Sequence, residues 1–407
     1  MNERTPVRFF DRTTPPHIVT LVLVTGLSAM NMSVFLPSLP AMTVYFDTEY
    51  QIIQLSVSLY LACVAVIQLF LGPISDKFGR RSVMLWSMAA FLVATLGCIF
   101  APTVEIFLTF RMLQCVVAAG LVLGRAIVRD MVPQDEAASM IGYVTMGMAL
   151  VPMIAPMIGG ALDLAFGWHS VFWALFVVGA GVLFLAWGDL GETVRGEGRS
   201  FADQLRDYPE LMRSRRFWGY VMASALASAA FFAFLGGAPY VASEVYQLSS
   251  FWAGVCFGAP AVGYATGNFI SGRFSVRVGI NRMIMTGASI GAAGLTTATI
   301  LIASGWDTAP VFFGFCTFVG LGNGMVIPNA SAGMLSVRPH LAGTASGVGA
   351  SIMIGGGAIL SVFAGWALTL GGGSLPLISI MVISMYLALL TMIYVIRRER
   401  TVIADAR

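Results

Sequence analysis

Apolar stretches of about 20 residues follow one another down the whole chain, separated by short polar breaks. A helix rising about 1.5 Å per residue crosses a hydrocarbon core of roughly 30 Å in about 20 residues, so each stretch predicts a membrane-spanning helix. Twelve are predicted, at 18–37, 51–72, 82–101, 103–124, 138–161, 169–187, 217–240, 251–272, 283–304, 309–334, 341–368 and 375–396. The longest polar segment, "GDLGETVRGEGRSFADQLRDYPELMRSRR" at 188–216, divides them six and six. It predicts an N-terminal six-helix bundle over 1–187, a cytoplasmic linker over 188–216 and a C-terminal six-helix bundle over 217–407. The first run follows Arg4, Arg8 and Arg12 as a signal peptide would, but Pro37 and Pro40 come after it with no small-residue cleavage pattern. It is read as a retained helix.

Composition agrees with an all-α membrane protein: 57% of the 407 residues are hydrophobic and 11% are charged, and the mean hydropathy is +0.83. The net charge of +3 says less than where the cations sit. Of the 23 Lys and Arg, 22 fall at the termini or in the breaks on the same side, while the opposite breaks hold acids such as Asp47, Glu49, Glu244 and Asp307. That bias places both termini in the cytoplasm. The five cysteines lie in apolar runs without Cys-x-x-Cys spacing, and His17, His169 and His340 are scattered, so no metal site or disulfide framework is expected. The only lysine, Lys77, is followed by Phe78, which excludes a Walker loop and an ATP-driven pump within this chain. Gly287-Ala-Ser-Ile-Gly291 fits a nucleophile elbow, but no strand precedes it, and helix packing explains its small residues. No enzyme, cofactor or nucleic-acid partner is expected; the expected partners are a small-molecule substrate and membrane lipid, around a monomer.

"GPISDKFGRR" (72–81) is followed 200 positions later by "GRFSVRVGIN" (272–281), with Gly72, Ser75, Lys77 and Gly79 aligned on Gly272, Ser275, Arg277 and Gly279. That register predicts an internal duplication, and parallel six-helix halves place a binding site near the midplane where they meet.

The first of these strings resembles the loop signature of the major facilitator superfamily, matched by Gly72, Asp76, Lys77, Gly79, Arg80 and Arg81. "FLPSLPAM" (35–42), "RMLQCVVAAGLVLGRAIVRD" (111–130), "VPMIAPMIGG" (151–160) and "FGWHSVFW" (166–173) are similar to the bicyclomycin and chloramphenicol resistance branch of bacterial drug:proton antiporters. The resemblance implies a multi-pass protein of the bacterial inner membrane. It would export small amphipathic drug-like molecules by alternating access in exchange for protons. The alternatives are a proton-independent facilitator or uptake carrier of a neutral or anionic metabolite, and a non-transporting membrane sensor. In the gating loop, Gly72 and Gly79 would permit a tight turn and close helix approach. Asp76 would join Arg80 and Asp130 in an ion network that holds the cytoplasmic side in one state or another. In the plainer reading Lys77, Arg80 and Arg81 only obey the positive-inside rule, in which Asp76 has no part.

Arg111 is the one cation outside the cytoplasmic set. Counted from Thr103 it lies roughly 12 Å deep, where an arginine costs about 2.5 to 3.5 kcal/mol on insertion scales, so it is expected to face a polar cavity. Gln114, one turn on, shares its face. The alternative is a hydrogen-bond hub tying span four to its neighbours. Asn31, Ser33, Tyr60, Tyr143, Asn268 and Asn323 are the other polar candidates for the central cavity, although each taken singly reads more readily as an interhelical hydrogen bond than as a ligand contact. "FFAF" (231–234) reads either as an apolar wall or as core. Pro152, Pro156, Gly159 and Gly160 form the span-five motif: the prolines bend one face and the glycines admit a neighbouring backbone. The resemblance implies that this motif seals against leak and favours export; a packing kink is the alternative. The chain departs from the family at Ser33, where the related antiporters carry an acid, and no Asp or Glu lies near a midplane. A polar-to-positive cavity favours neutral or anionic substrates. Proton coupling is then left to Asp76, Asp130 or Glu105, or transport runs on the substrate gradient alone.

Overall fold

Prolines and glycines decide where the apolar runs break. The computed structural model describes residues 8–131, 151, 154–193, 209–338 and 341–405. Helix α1 (Ile18–Ser33) gives way to a 3-10 turn at Leu36–Ser38 and a short α2 (Leu39–Tyr45), because Pro37 and Pro40 lack the N–H that would continue the ladder. Next come α3 (Tyr50–Phe78) and α4 (Arg80–Ile99). The polar stretch at 72–81 is therefore helical except at Gly79, and the expected loop shrinks to one residue. Span four is α5 (Val104–Leu113), a 3-10 stretch at Gln114–Ala118 and α6 (Ala119–Met131). Beyond it lie α7 (Ile154–Phe166) and α8 (His169–Asp189).

The later helices are α9 (Arg215–Tyr240), α10 (Ser250–Phe257), α11 (Ala259–Val278), α12 (Ile280–Ala303), α13 (Ala309–Val337), α14 (Ala342–Thr369) and α15 (Leu375–Asp405). Among the described residues ten helical segments are long and apolar enough to cross a membrane. Of the other two predicted spans, the fifth lies mostly outside the described residues, and the eighth is split at Gly258 with Pro260 just inside the new helix. Gly79 (φ 88°, ψ 138°) and Gly279 (φ 89°, ψ 148°) are the same one-residue break, 200 positions apart, so the sequence repeat is also a backbone repeat. Residues with side chains rarely adopt that conformation, and a Cβ at Gly79 would also strike the Glu192 carboxylate. Gly72 differs from expectation: it is helical, and a Cβ there meets nothing within 4 Å, so no close approach needs it. Gly79→Ala should cost about 1–3 kcal/mol, whereas Gly72→Ala should stabilise the helix by about 0.5–1 kcal/mol. Thermal unfolding of the detergent-solubilised protein separates the two.

Helices α1–α8 and α9–α15 form two groups, with α3 and α14 packed together across the seam. Within the second group α11 and α13 cross backbone to backbone. Gly263 and Gly267 sit on the Thr317 and Leu321 carbonyls, and Gly320 and Gly324 on those of Pro260 and Tyr264. The end of the assembly that carries the terminal segments is called proximal below, and the opposite end distal. At the proximal end Asp189, fully buried, accepts from the Phe10 N–H (2.7 Å), the His17 N–H (2.8 Å) and the Thr20 hydroxyl (2.6 Å). A buried carboxylate needs such donors, and here they moor the N-terminal segment to α8. At the distal end Asp307 accepts from Tyr246 Oη (2.5 Å) and Ser374 Oγ (2.6 Å), joining three links of the second group.

Candidate functional site

Three sets of residues gather at three depths. Midway along the first group, Arg111 is the largest fully buried side chain. Its Nε donates to the Ser56 carbonyl (3.2 Å), Nη1 to Asn31 Oδ1 (2.8 Å) and Gln114 Oε1 (2.6 Å), and Nη2 to the Asn31 carbonyl (2.9 Å). The guanidinium lies between the rings of Phe35 and Tyr60, 4.3 and 4.2 Å from their centroids. Gln114 passes the chain on to Thr95 Oγ1 (2.8 Å), and Asn31 Nδ2 donates to Tyr60 Oη (3.2 Å). Neutral dipoles and two π faces hold this cation, with no carboxylate among these partners. Span four tightens into its 3-10 stretch at Gln114, where the Ser28 hydroxyl takes the Val117 carbonyl (2.6 Å).

This corrects the expectation that Arg111 faces a cavity. Its neighbours offer enough acceptors to satisfy it inside the first group, and the hub alternative describes its surroundings in this structure. Asn31, Gln114, Ser33 and Tyr60 are buried with it; Ser33 returns its hydroxyl to the Ala29 carbonyl (3.3 Å). The inference of substrate charge from Arg111 loses its basis. In the second group Asn268 is half-buried and donates to the Tyr264 carbonyl (2.9 Å). Asn323 is buried with no hydrogen bond to its Oδ1 among the described residues. Tyr143 lies outside the described residues. Of the "FFAF" patch, Phe234 packs on Phe257 and Phe313 as core, and only Phe231 is half-exposed.

At the proximal end the structure brings Asp76, Arg80 and Asp130 together. Arg80 pairs with Asp76 (3.1 Å) and with Asp130, and its Nη1 donates to Ser75 Oγ (3.1 Å). Arg81 donates from Nε to the Leu190 carbonyl (2.7 Å) and from Nη2 to that of Trp187 (3.1 Å), capping α8. Glu192 accepts the Arg80 and Arg81 N–H groups (3.0 and 3.3 Å) and caps α4. Sequence reading missed Glu192, because nothing local shows that its chain returns beside Gly79. All these partners belong to the first group. Lys77 lies over the Phe78 ring at 5.3 Å.

At the distal end the two groups meet directly. Tyr50 Oη donates to the Gly236 carbonyl (3.0 Å), Gln51 Nε2 to Thr369 Oγ1 (2.7 Å), and Gln54 Nε2 to the Ser361 carbonyl (2.7 Å). Helix α7 completes the seam. A Cβ at Gly160 would strike the Ser250 backbone, and one at Gly254 would strike that of Pro156, whereas Gly159 faces Val34 within its own group. At Gly159 and Gly160 the neighbouring backbone comes this close; Pro152 lies outside the described residues. Asp163, one turn beyond Gly160, is 8% exposed. The seam residues Tyr50, Gln51 and Gln54 carry no pattern in sequence that marks them, since each is one polar residue at the end of an apolar run.

Long apolar helices arranged as two packed groups define a multi-pass membrane protein. The sequence pattern of the Major Facilitator Superfamily matches residues 21–360, and the chain belongs to that family. It is 30% identical to an uncharacterized MFS-type transporter, YdgK, of Bacillus subtilis, over 83% of this chain and 86% of that one. It is 27% identical to a bicyclomycin resistance protein homolog of Haemophilus influenzae (84% and 87%) and 28% identical to multidrug resistance protein D of Escherichia coli (89% and 91%). These relatives support the bicyclomycin and chloramphenicol resistance branch and a place in the bacterial inner membrane. Among solved structures, a D-xylose–proton symporter superposes with a TM-score of 0.72 at 14% identity, covering 93% of this chain and 96% of that one. An inward-facing, occupied bacterial homolog of the human lysosomal transporter Spinster superposes with a TM-score of 0.69 at 16% identity (95% and 97%). Both likenesses concern the fold.

Proposed function

We propose that the chain is a monomeric exporter of small amphipathic drug-like compounds, working by alternating access between residues 1–187 and 217–407 in exchange for protons, with both termini in the cytoplasm. The observation that carries this reading is the distal seam: two helix groups held by a few hydrogen bonds and by backbone contact at glycines, an interface that can part without unfolding either group. The names of the relatives, which include bicyclomycin, chloramphenicol and multidrug resistance proteins, support export and the chemical class. The Asp76–Arg80–Asp130 network would stiffen the cytoplasmic end of the first bundle, so that it moves as one body and meets the second when the cycle closes that side. Inside-out membrane vesicles holding the protein should accumulate labelled chloramphenicol when acidified inside and lose it when an uncoupler is added. Accumulation that ignores the uncoupler would remove the proton from the cycle; no movement of any compound in a resistance-drug panel would remove the carrier.

A further inference from the structure

Asp163 is a buried acid on the distal seam, and the cycle described above gives it no part. Pro156, Gly160 and Asp163 are spaced i, i+4 and i+7, which sets them in one stripe along α7. The first two meet the opposite bundle backbone to backbone: a Cβ at Gly254 would strike the Pro156 carbonyl, and one at Gly160 that of Ser250. Asp163 continues the stripe one turn farther toward the distal end. It is 8% exposed, while Ala161, Leu164, Ala165 and Phe166 around it are all exposed. The last turn of α7 thus leaves apolar residues in the open and covers its one charge.

No cation is at hand to pair with it. Of the 23 Lys and Arg, 22 fall at the termini or in the breaks on the proximal side, and Arg111 is committed to Asn31, Ser56 and Gln114. The segments that meet α7 at Gly159 and Gly160, 34–39 in span one and 247–255 at the start of α10, carry no ionisable side chain. Beyond them along the chain stand Tyr45, Glu244 and Cys256, with His169 opening α8. The other distal acids differ from Asp163. Asp47, Glu49, Glu105 and Glu244 are exposed, and Asp307 is held by Tyr246 and Ser374.

We propose that Asp163 is the outer proton-binding site of the exchange: the distal seam closes once its carboxyl group holds a proton taken from outside. This rests on the carrier reading above and names the group behind its proton dependence. Covering an ionised carboxylate without a cation is costly, so the two bundles close over the neutral acid more readily than over the ion. Parting the seam returns the group to the outer solution. A carrier that has released its substrate outside then resists closing on a bare charge, which ties its return to proton uptake. One proton shifts such a closing equilibrium by at most about tenfold per pH unit.

The test labels Gln51→Cys from outside with a membrane-impermeant maleimide, in right-side-out vesicles holding the full-length protein and no substrate. Ser304→Cys, exposed at the same end, corrects for the reagent's own pH dependence, and the protein without either change gives the background of the native cysteines. Corrected labelling should fall about fivefold or more between external pH 8 and pH 5.5. Asp163→Asn should label weakly at both pH values, because a neutral amide is covered without a proton, and Asp163→Glu should keep the fall. Size exclusion checks folding, and Asp163→Ser, also neutral, takes the place of the Asn variant if that one aggregates. A fall that persists in the neutral variants, or flat labelling with Asp163 in place, overturns the site. Chloramphenicol movement alongside flat labelling leaves the carrier standing; an Asp163-dependent fall in a protein that moves no compound of the panel overturns the carrier reading alone.

Discussion

Arg111→Ala is expected to cost the protein at least about 3 kcal/mol of stability, because several acceptors inside the first bundle lose their donor at once. Asn31 Oδ1, the Asn31 and Ser56 carbonyls and Gln114 Oε1 all rely on it, and each buried acceptor left unmet costs about 1–3 kcal/mol. Phe35 and Tyr60 also lose the plate that separates them. Removing so large a side chain leaves a cavity that the surrounding helices fill only in part. Arg111→Lys keeps the charge but cannot reach Asn31, Ser56 and Gln114 together, so it should recover only part of the loss. Thermal unfolding in detergent and the yield of monodisperse protein measure both variants. If Arg111→Ala were as stable as wild type while transport vanished, the hub account would fall and a direct role in the cycle would take its place.

Gly160→Val is expected to do the opposite, preserving the fold and stopping the cycle. Its new side chain would meet the Ser250 backbone of the other bundle, and backbone cannot step aside as a flexible side chain can. The distal seam could not close, so transport should fall more than tenfold while helical content and yield stay near wild type. A thiol introduced by Gln51→Cys in the same protein should then label more readily from outside. Gly159→Val is the control, because it strikes Val34 within its own bundle and should lower stability as well. A Gly160→Val protein that transports normally would show that the seam need not close at α7.

Much of this was legible in the sequence, for physical reasons that differ by region. Apolar length gives the spans because the bilayer admits few alternatives. The Gly79 and Gly279 repeat was readable because both copies keep the one residue type that tolerates the turn. The meeting of Asp76, Arg80 and Asp130 was implied by the resemblance of the 72–81 string to the family's loop signature, not by anything local to Asp130. Arg111 was found by its cost in hydrocarbon, but whether it faces space or protein depends on Asn31, Ser56 and Gln114, whose convergence only packing reveals. Asp189 and Glu192 were missed because their donors lie more than 100 residues away.

If the two bundles must part at the distal seam in every cycle, then tying them there must stop transport. Gln51 Nε2 and Thr369 Oγ1 meet across that seam at 2.7 Å, so thiols introduced by Gln51→Cys and Thr369→Cys lie within the span of a bifunctional thiol reagent with a reducible spacer. The cross-linked protein should move no labelled chloramphenicol, and reduction of the spacer should restore the rate of the uncrosslinked protein. Full transport by the cross-linked protein would contradict alternating access.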